Sequence, residues 1–237
     1  IYLDGNSLGA LPKATLKRIE QVVREEWGNS LIRSWSEHGW IELPRILGDK
    51  IARLVGATSG EVIVCDSTSI NLFKSLTAAL SINSDRKIIL SDCSNFPTDL
   101  YIAKGVISFM DRDVEMRLVN RENLERQIDS SVAVLFLTHV DFRSGACYDM
   151  EHITRLAHDV GALVIWDLSH SAGAMPVDLN ACEVDFAVGC GYKYLNGGPG
   201  APAYVYVAQA LQTEVQTPLT GWMGHETPFD FSTRYTP

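Results

Sequence analysis

The sequence predicts an α/β fold with a mainly parallel, seven-stranded sheet flanked by helices. Seven short apolar segments recur from residue 61 onward, and most of the segments between them have apolar residues at helical spacing. Parallel strands are buried on both faces, so they read as continuous apolar runs. The predicted strands are EVIVC (61–65), KIILSD (87–92), VEMRLV (114–119), VAVLFLT (132–138), ALVIWD (162–167), VDFAVG (184–189) and APAYVYV (201–207).

The segments between the strands predict helices that cover both faces of the sheet. Four have the apolar repeat of an amphipathic helix, namely SINLFKSLTAAL (69–80), PTDLYIAKGVI (97–107), RENLERQI (121–128) and MEHITRLAHDVG (150–161). Before the sheet, LPKATLKRIEQVVREEWG (11–28) and LPRILGDKIARLVGAT (43–58) predict two further helices. We therefore expect a two-helix N-terminal arm over residues 1–57 and a large α/β domain over residues 58–237. The last residues, 225–237, have no helix or strand signal, and we expect a C-terminal small domain outside this sequence.

The composition and net charge of the chain limit the classes of molecule that it can bind. The chain has 237 residues, 46% of them hydrophobic and 21% charged, as in an ordinary globular protein. A net charge of -9 opposes binding to nucleic acid or to an anionic membrane, which favours a small-molecule substrate. No segment is apolar enough to span a bilayer, and the five cysteines include no C-x-x-C pair. We expect a cytoplasmic protein with reduced thiols.

Polar and aromatic residues follow the first two strands, at the sheet edge where parallel sheets bind ligands. Ser67, Thr68 and Ser69 begin a predicted helix. They could bind an anion through hydroxyl and backbone N–H groups, or simply cap the helix. Pro97 suits the first turn of the next helix and leaves Phe96 at the loop tip. Phe96 could stack on a planar ring or pack as a hydrophobic staple.

Ionisable residues follow two later strands. Asp167 ends a buried strand and needs a partner, because an unpaired buried carboxylate is costly. A metal site with His170 is one interpretation, but it lacks a convincing third ligand, and we expect no metal. Lys193 comes after VDFAVG and before a glycine-rich turn. An amine removed from water there suits Schiff-base chemistry, whereas the simpler alternative is a lysine that extends to solvent.

Taken together, these sites predict a pyridoxal 5'-phosphate cofactor. A helix start for the phosphate, an aromatic residue for the ring, a carboxylate for the ring nitrogen and an amine nucleophile are the groups that this cofactor requires. Lys193 would form the Schiff base. The glycines at 197, 198 and 200 would allow a tight turn beside it.

Five motifs resemble those of fold-type I, class V pyridoxal-phosphate enzymes, and within that group the kynureninase family. They are YLDGNSLG (2–9), NFPTD (95–99), WDLSHSAG (166–173), YKYLNGGPG (192–200) and GWMGHE (221–226). Cysteine desulfurases and related aminotransferases usually have His where this chain has Tyr192, which favours kynureninase. The resemblance implies hydrolysis of L-kynurenine or 3-hydroxykynurenine to anthranilate or 3-hydroxyanthranilate and L-alanine. This reaction belongs to tryptophan catabolism by the kynurenine pathway, which leads to NAD biosynthesis.

The resemblance also implies roles for individual residues. Lys193 would move the substrate Cα proton, and Tyr192 would be the acid or base for hydration of the substrate carbonyl. An arginine that binds the substrate carboxylate is expected beyond Pro237. The implied cofactor contacts are Thr68, Ser69 and Tyr192 near the phosphate, Phe96 and Asp167 on the ring, Asp99, Thr138 and His170 around it, and Trp222 from the other subunit of a homodimer. The implied substrate contacts are Ser7 and Trp35.

Two other functions remain open from the sequence. The first is a cysteine desulfurase or aminotransferase that uses the same cofactor. The second is a cofactor-free interaction module, against which the presence of Asp167, His170 and Lys193 together counts.

Overall fold

One seven-stranded sheet forms the centre of a computed structural model that describes residues 1–236. All seven predicted strands are confirmed. Their order across the sheet is β1-β7-β6-β5-β4-β2-β3. Their bounds are β1 Val62–Val64, β2 Ile88–Asp92, β3 Glu115–Val119, β4 Val132–Thr138, β5 Leu163–Asp167, β6 Phe186–Gly189 and β7 Tyr204–Val207.

The sheet is mainly parallel, as predicted. β2 to β6 are parallel to one another, whereas β7 runs antiparallel to both of its neighbours, β6 and β1. The chain returns from β6 to β7 without a crossover helix, and this connection produces an antiparallel pair. Thr138 is in register with Asp167, and Asp167 with Val188, so β4, β5 and β6 end at the same sheet edge.

Six α-helices accompany the sheet within residues 1–236. They are α1 Thr15–Gln21, which continues as a wider helical segment over Val22–Trp27, α2 Ser34–Glu37, α3 Leu43–Val55, α4 Thr68–Ile82, α5 Pro97–Phe109 and α6 Met150–Asp159. The predicted helix over residues 121–128 is wrong. That segment forms two single turns, Arg121–Asn123 and Glu125–Gln127. It fully buries only Leu124, so it lacks the packed apolar face that stabilises most helices in proteins.

The core lies on both faces of the sheet, and β4 shows why. All seven of its residues are buried. Val134 and Phe136 pack in the cluster that includes residues of α4 and α5, whereas Leu135 and Leu137 pack in the cluster that includes residues of α3 and α6. Side chains alternate between the faces of a strand, so a strand covered on both sides must be apolar throughout.

The helices before α3 are less buried than those that pack on the sheet. α1 has no buried residue, and the apolar residues Leu16, Ile19 and Trp27 of this region are exposed. A buried carboxylate still orders this region, since Glu26 is bound by Arg18 and accepts a hydrogen bond from Trp40 Nε1 at 2.8 Å. The Arg18 guanidinium lowers the pKa of Glu26. Among residues 1–236, no helix has the length and apolar character needed to cross a membrane.

Candidate active site

A cleft of about 280 Å³ opens where β5 and β6 end and α4 and α5 begin. Most of the predicted site residues line it, although they come from separate segments of the sequence. The lining residues are Ser67, Thr68, Ser69, Phe96, Thr98, Asp99, Asp167, Ser169, His170, Tyr192 and Lys193. The strand order explains this assembly, because parallel strands deliver their following loops to one edge of the sheet.

The N-terminus of α4 forms one wall of the cleft. Ser67 is the N-cap, and its side chain accepts a hydrogen bond from Ile70 N at 3.3 Å, which confirms the capping interpretation for this residue. Thr68 and Ser69 occupy the first helical turn and line the cleft. Backbone N–H groups in the first turn lack helical partners, so this wall can bind an anion.

Phe96 lies at the start of α5, with Pro97 in the first turn as predicted. Its ring meets Phe142 edge to face, with centroids 5.1 Å apart, and Lys193 Nζ lies 5.7 Å from the centre of the Phe96 ring. The sequence did not predict a role for Phe142, which also stacks against His170 at 6.4 Å. An aromatic residue just beyond the end of β4 is the signal that could have identified it.

Asn95 is a second residue whose role the sequence did not reveal. Its Oδ1 accepts hydrogen bonds from Phe96 N at 2.8 Å, from Thr138 N at 3.2 Å and from Thr138 Oγ1. Its Nδ2 donates to Ser91 Oγ at 3.0 Å. Thr138 does not line the cleft itself, but Asn95 joins it to the loop that carries Phe96. A buried amide in the NFPTD motif therefore fixes two of the predicted cofactor contacts.

Two buried carboxyl groups face the cleft. Asp167 Oδ1 accepts hydrogen bonds from Ser169 N at 2.8 Å and from Ser169 Oγ at 2.6 Å. Asp99 is also buried, and its Oδ2 has no hydrogen-bond partner among the described residues. Burial raises the pKa of Asp99, and the negative charge of Asp167 raises it further. A cationic or N–H donor group in the cleft would satisfy both residues.

Lys193 is buried, with 8% of its surface exposed, so the interpretation of a lysine that extends to solvent is wrong. Its Nζ lies 2.6 Å from His170 Nε2. Burial lowers the pKa of His170, and the positive charge of Lys193 lowers it further. The neutral imidazole can therefore accept a hydrogen bond from the lysine amine. No group of three or more His, Cys, Asp or Glu side chains suited to a metal ion occurs within residues 1–236.

Besides Thr138, three further predicted residues lie outside the cleft, namely Ser7, Trp35 and Trp222. Trp35 and Trp222 meet edge to face, with ring centroids 5.5 Å apart, but neither lines the cleft. Ser7 is exposed and donates a hydrogen bond from Oγ to Asp4 Oδ1 at 2.8 Å. Two positions after Ser7, Gly9 contacts the segment 190–203 between β6 and β7, which carries Lys193 and is called the lysine loop below. The Gly9 N–H donates to Tyr192 O in this loop at 2.8 Å.

The family described as Aminotransferase class-V matches residues 1–230. The chain belongs to the class-V aminotransferase family. Among curated members of this family, it is 52% identical to the kynureninase of Pseudomonas fluorescens over 242 aligned positions, and 52% identical to that of Burkholderia pseudomallei strain K96243. The chain spans 58% of the length of these relatives.

Solved structures share the class-V fold. A mutant of C-DES with glycine covalently linked to its PLP cofactor superposes with a TM-score of 0.80 at 16% identity, over 92% of this chain and 59% of that one. The cysteine desulfurase CsdA from Escherichia coli gives a TM-score of 0.76 at 21% identity, over 100% of this chain and 61% of that one. At these identities the similarity establishes the fold.

The cleft of this class-V chain fits pyridoxal 5'-phosphate. The start of α4 suits the phosphate, and the buried Asp99 and Asp167 suit a protonated ring nitrogen. The unpartnered oxygen of Asp99 is the observation that most directly indicates such a donor. The aromatic ring of Phe96 and the buried amine of Lys193 also fit this group, and pyridoxal 5'-phosphate is the cofactor of this class-V chain.

Proposed function

We propose that the protein to which this chain belongs is a kynureninase, which hydrolyses L-kynurenine or its 3-hydroxy form to anthranilate or 3-hydroxyanthranilate and L-alanine. The observation that carries the proposal is the buried Lys193 amine in a cleft that also contains Asp99 and Asp167. The 52% identity to kynureninases along the whole chain supports this substrate class. Tyr192, in place of the histidine usual in cysteine desulfurases, supports it as well.

Each cleft residue has a place in this reaction. Bound in the cleft, the cofactor supplies an electron-accepting ring for carbanion chemistry at the substrate Cα. Asp167 would hold a proton on the ring nitrogen, Phe96 would pack against the ring, and Thr68 and Ser69 would bind the phosphate. Lys193 would attach to the cofactor and move the proton at the substrate Cα, while the neutral His170 holds the lysine amine in place.

Tyr192 is the proposed acid or base for hydration of the γ-carbonyl. It adjoins Lys193, lines the cleft and remains partly exposed, so water and substrate can reach its hydroxyl. Burial raises the pKa of Tyr192, and the nearby Cys190 and Asp167 raise it further. Its hydroxyl therefore keeps its proton at neutral pH and can donate it to the developing oxyanion.

The proposal extends to domains and assembly. Residues 1–57 are the proposed N-terminal arm, and residues 58–237 belong to the proposed cofactor-binding domain, with Pro237 outside the described residues. A homodimer would cover the exposed apolar residues of α1 and would allow Trp222 to reach the partner's cofactor. Ser7 and Trp35 remain proposed substrate contacts. A cytoplasmic location agrees with five free thiols, at Cys65, Cys93, Cys147, Cys182 and Cys190.

The test is product release by the full-length protein loaded with pyridoxal phosphate. L-kynurenine, 3-hydroxykynurenine and L-cysteine are supplied in parallel, and anthranilate or 3-hydroxyanthranilate, alanine and sulfide are measured. We expect an aryl product with an equal amount of alanine, and we expect Lys193→Ala to abolish both. Sulfide from cysteine without an aryl product would identify a desulfurase instead, and transamination without cleavage would identify an aminotransferase.

A further inference from the structure

The segment Asp4–Gly9 forms a hydrogen-bonded turn near the start of the described chain. Ser7 N and Leu8 N both donate to Asp4 O, at 3.0 and 3.2 Å. Tyr2 Oη donates to Leu8 O at 2.8 Å, which closes the turn from the other side. The turn therefore has a defined shape of its own, although most of its residues are exposed.

This turn contacts the backbone that carries Lys193. Gly9 N donates to Tyr192 O at 2.8 Å, the carbonyl directly before the lysine. A Cβ at Gly9 would lie 2.1 Å from Lys193 O and 2.5 Å from Asn196 Oδ1. The backbone of Gly9 does not have a left-handed φ, so the position requires glycine because of close approach and not because of conformation.

Other contacts hold the lysine loop from within and from the turn after β5. Asn196 N donates to Lys193 O at 3.0 Å, the same carbonyl that Gly9 approaches. A Cβ at Gly173 would lie 3.2 Å from Tyr194 O, so the turn after β5 also packs directly on the loop backbone. The loop thus contacts both the N-terminal turn and the turn after β5. Displacement of either turn would move the Lys193 backbone and with it the amine near His170.

We propose that Gly9 is a positioning residue, through which the Asp4–Gly9 turn clamps the Lys193 backbone and holds its amine where it can bond to the cofactor. That bond forms between Nζ and the aldehyde carbon of pyridoxal phosphate, with loss of water. The inference rests on the proposed cofactor chemistry at Lys193 and is independent of the substrate. The clamp acts on covalent attachment, whereas the proposed phosphate and ring contacts other than Tyr192 come from α4, α5 and the end of β5.

The test compares covalent and non-covalent cofactor binding in Gly9→Ala. Pyridoxal phosphate is added at saturation to the cofactor-free full-length protein, samples are quenched with borohydride over time, and labelled Lys193 is quantified by mass spectrometry. We expect Gly9→Ala to slow labelling by about 10-fold to 100-fold, since a misplacement of about 1 Å has costs of this size. Gly105→Ala is the matched control, because a Cβ there meets no atom within 4 Å.

Non-covalent binding is measured in a Lys193→Ala background by equilibrium dialysis. We expect Gly9→Ala to leave that dissociation constant unchanged within about twofold, because the clamp touches only the backbone beside Tyr192 and Lys193 and none of the cleft residues of α4, α5 and β5. If Gly9→Ala weakens non-covalent binding in the Lys193→Ala protein as much as it slows labelling in the protein with Lys193, Gly9 acts through general stability. That result would overturn the proposal. Unchanged labelling in a folded Gly9→Ala protein would overturn it too.

Tyr2→Phe keeps the proposal testable if Gly9→Ala does not fold. It removes the hydrogen bond to Leu8 O without introducing an atom, and we expect slower labelling than in the parent protein. Unchanged labelling in Tyr2→Phe, when Gly9→Ala cannot be measured, would refute the clamp. No kynurenine is used, so a parent protein that labels normally but does not cleave kynurenine would refute the proposed function and leave the clamp intact.

Discussion

Lys193 Nζ lies 2.6 Å from His170 Nε2, in a cleft where the lysine is buried and the histidine half-buried. Two positive charges at this distance would repel strongly, so Lys193 and His170 are not both protonated. Burial and the charge of Lys193 lower the pKa of His170, and the imidazole is neutral at physiological pH. The histidine thus acts as a hydrogen-bond acceptor that aims the amine.

This pair predicts a stability loss in acid. A histidine whose folded-state pKa is lowered contributes stability that is present above the unfolded value of about 6.5 and is lost as the pH falls below it. We expect the melting temperature of the cofactor-free protein to fall more steeply between about pH 6.5 and 5 than that of His170→Gln, which cannot titrate. Parallel melting curves for the two proteins across this range would contradict the assignment.

His158 predicts the opposite slope. Its Nε2 lies 2.9 Å from Asp185 Oδ2, and the hydrogen bond to Asp185 raises the pKa of His158. The stabilisation is complete below the unfolded pKa of about 6.5 and is lost as the pH rises through the folded value. We expect His158→Gln to destabilise the protein by roughly 0.5–1 kcal/mol at pH 6 and less at pH 9, by urea denaturation. A larger loss at pH 9 would be inconsistent with this ion pair.

We expect Asp99 to lower the stability of the cofactor-free protein and to strengthen cofactor binding. Burial and the nearby Asp167 raise the pKa of Asp99, so its ionisation opposes folding as the pH rises above the unfolded value of about 3.9. We expect Asp99→Asn to stabilise the cofactor-free protein by roughly 1–3 kcal/mol at pH 8. The same change should weaken pyridoxal phosphate binding, as measured by dialysis. Lower stability without cofactor would rule out this account.

Asn95 predicts a loss of both stability and cofactor affinity. Asn95→Ala leaves the donors of Phe96 and Thr138 without their shared acceptor, and we expect a cost of roughly 1–3 kcal/mol in urea denaturation. Because Phe96 is the proposed ring contact, the dissociation constant for pyridoxal phosphate should rise as well. Asn123→Ala is the control, since that side chain is exposed. Equal effects of the two changes would exclude the special role of Asn95.

Tyr192 predicts a selective loss of turnover. Tyr192→Phe retains the ring and removes the hydroxyl proposed for carbonyl hydration, and we expect kcat for L-kynurenine to fall by about 10²-fold to 10⁴-fold. Cofactor affinity should change far less. The exposed Tyr101 provides the control variant Tyr101→Phe. If Tyr192→Phe turns over kynurenine at the parent rate, the hydroxyl has no part in the reaction.

The sequence predicted the strands and most of the cleft for a physical reason. Buried parallel strands require uninterrupted apolar runs, and the residues after them converge at one edge, so the sequence alone was enough to place Asp167 and Lys193 together. Asn95 and Phe142 escaped prediction because an amide bonded to backbone and a ring stacked on another ring leave no periodic pattern. The packing of Gly9 against Lys193 joins distant segments, and its glycine requirement depends on a contact that sequence spacing does not reveal.

The position of β7 has a consequence for synthesis of the protein on the ribosome. β1 is the first strand to be synthesised, but its neighbour in the described sheet is β7, the last strand. β7 also pairs with the second edge of β6. A nascent chain that has not yet emerged as far as Tyr204 therefore holds two apolar strands with unpaired edges. Such edges recruit other chains, so we expect slow translation between β6 and β7 to favour aggregation and chaperone binding.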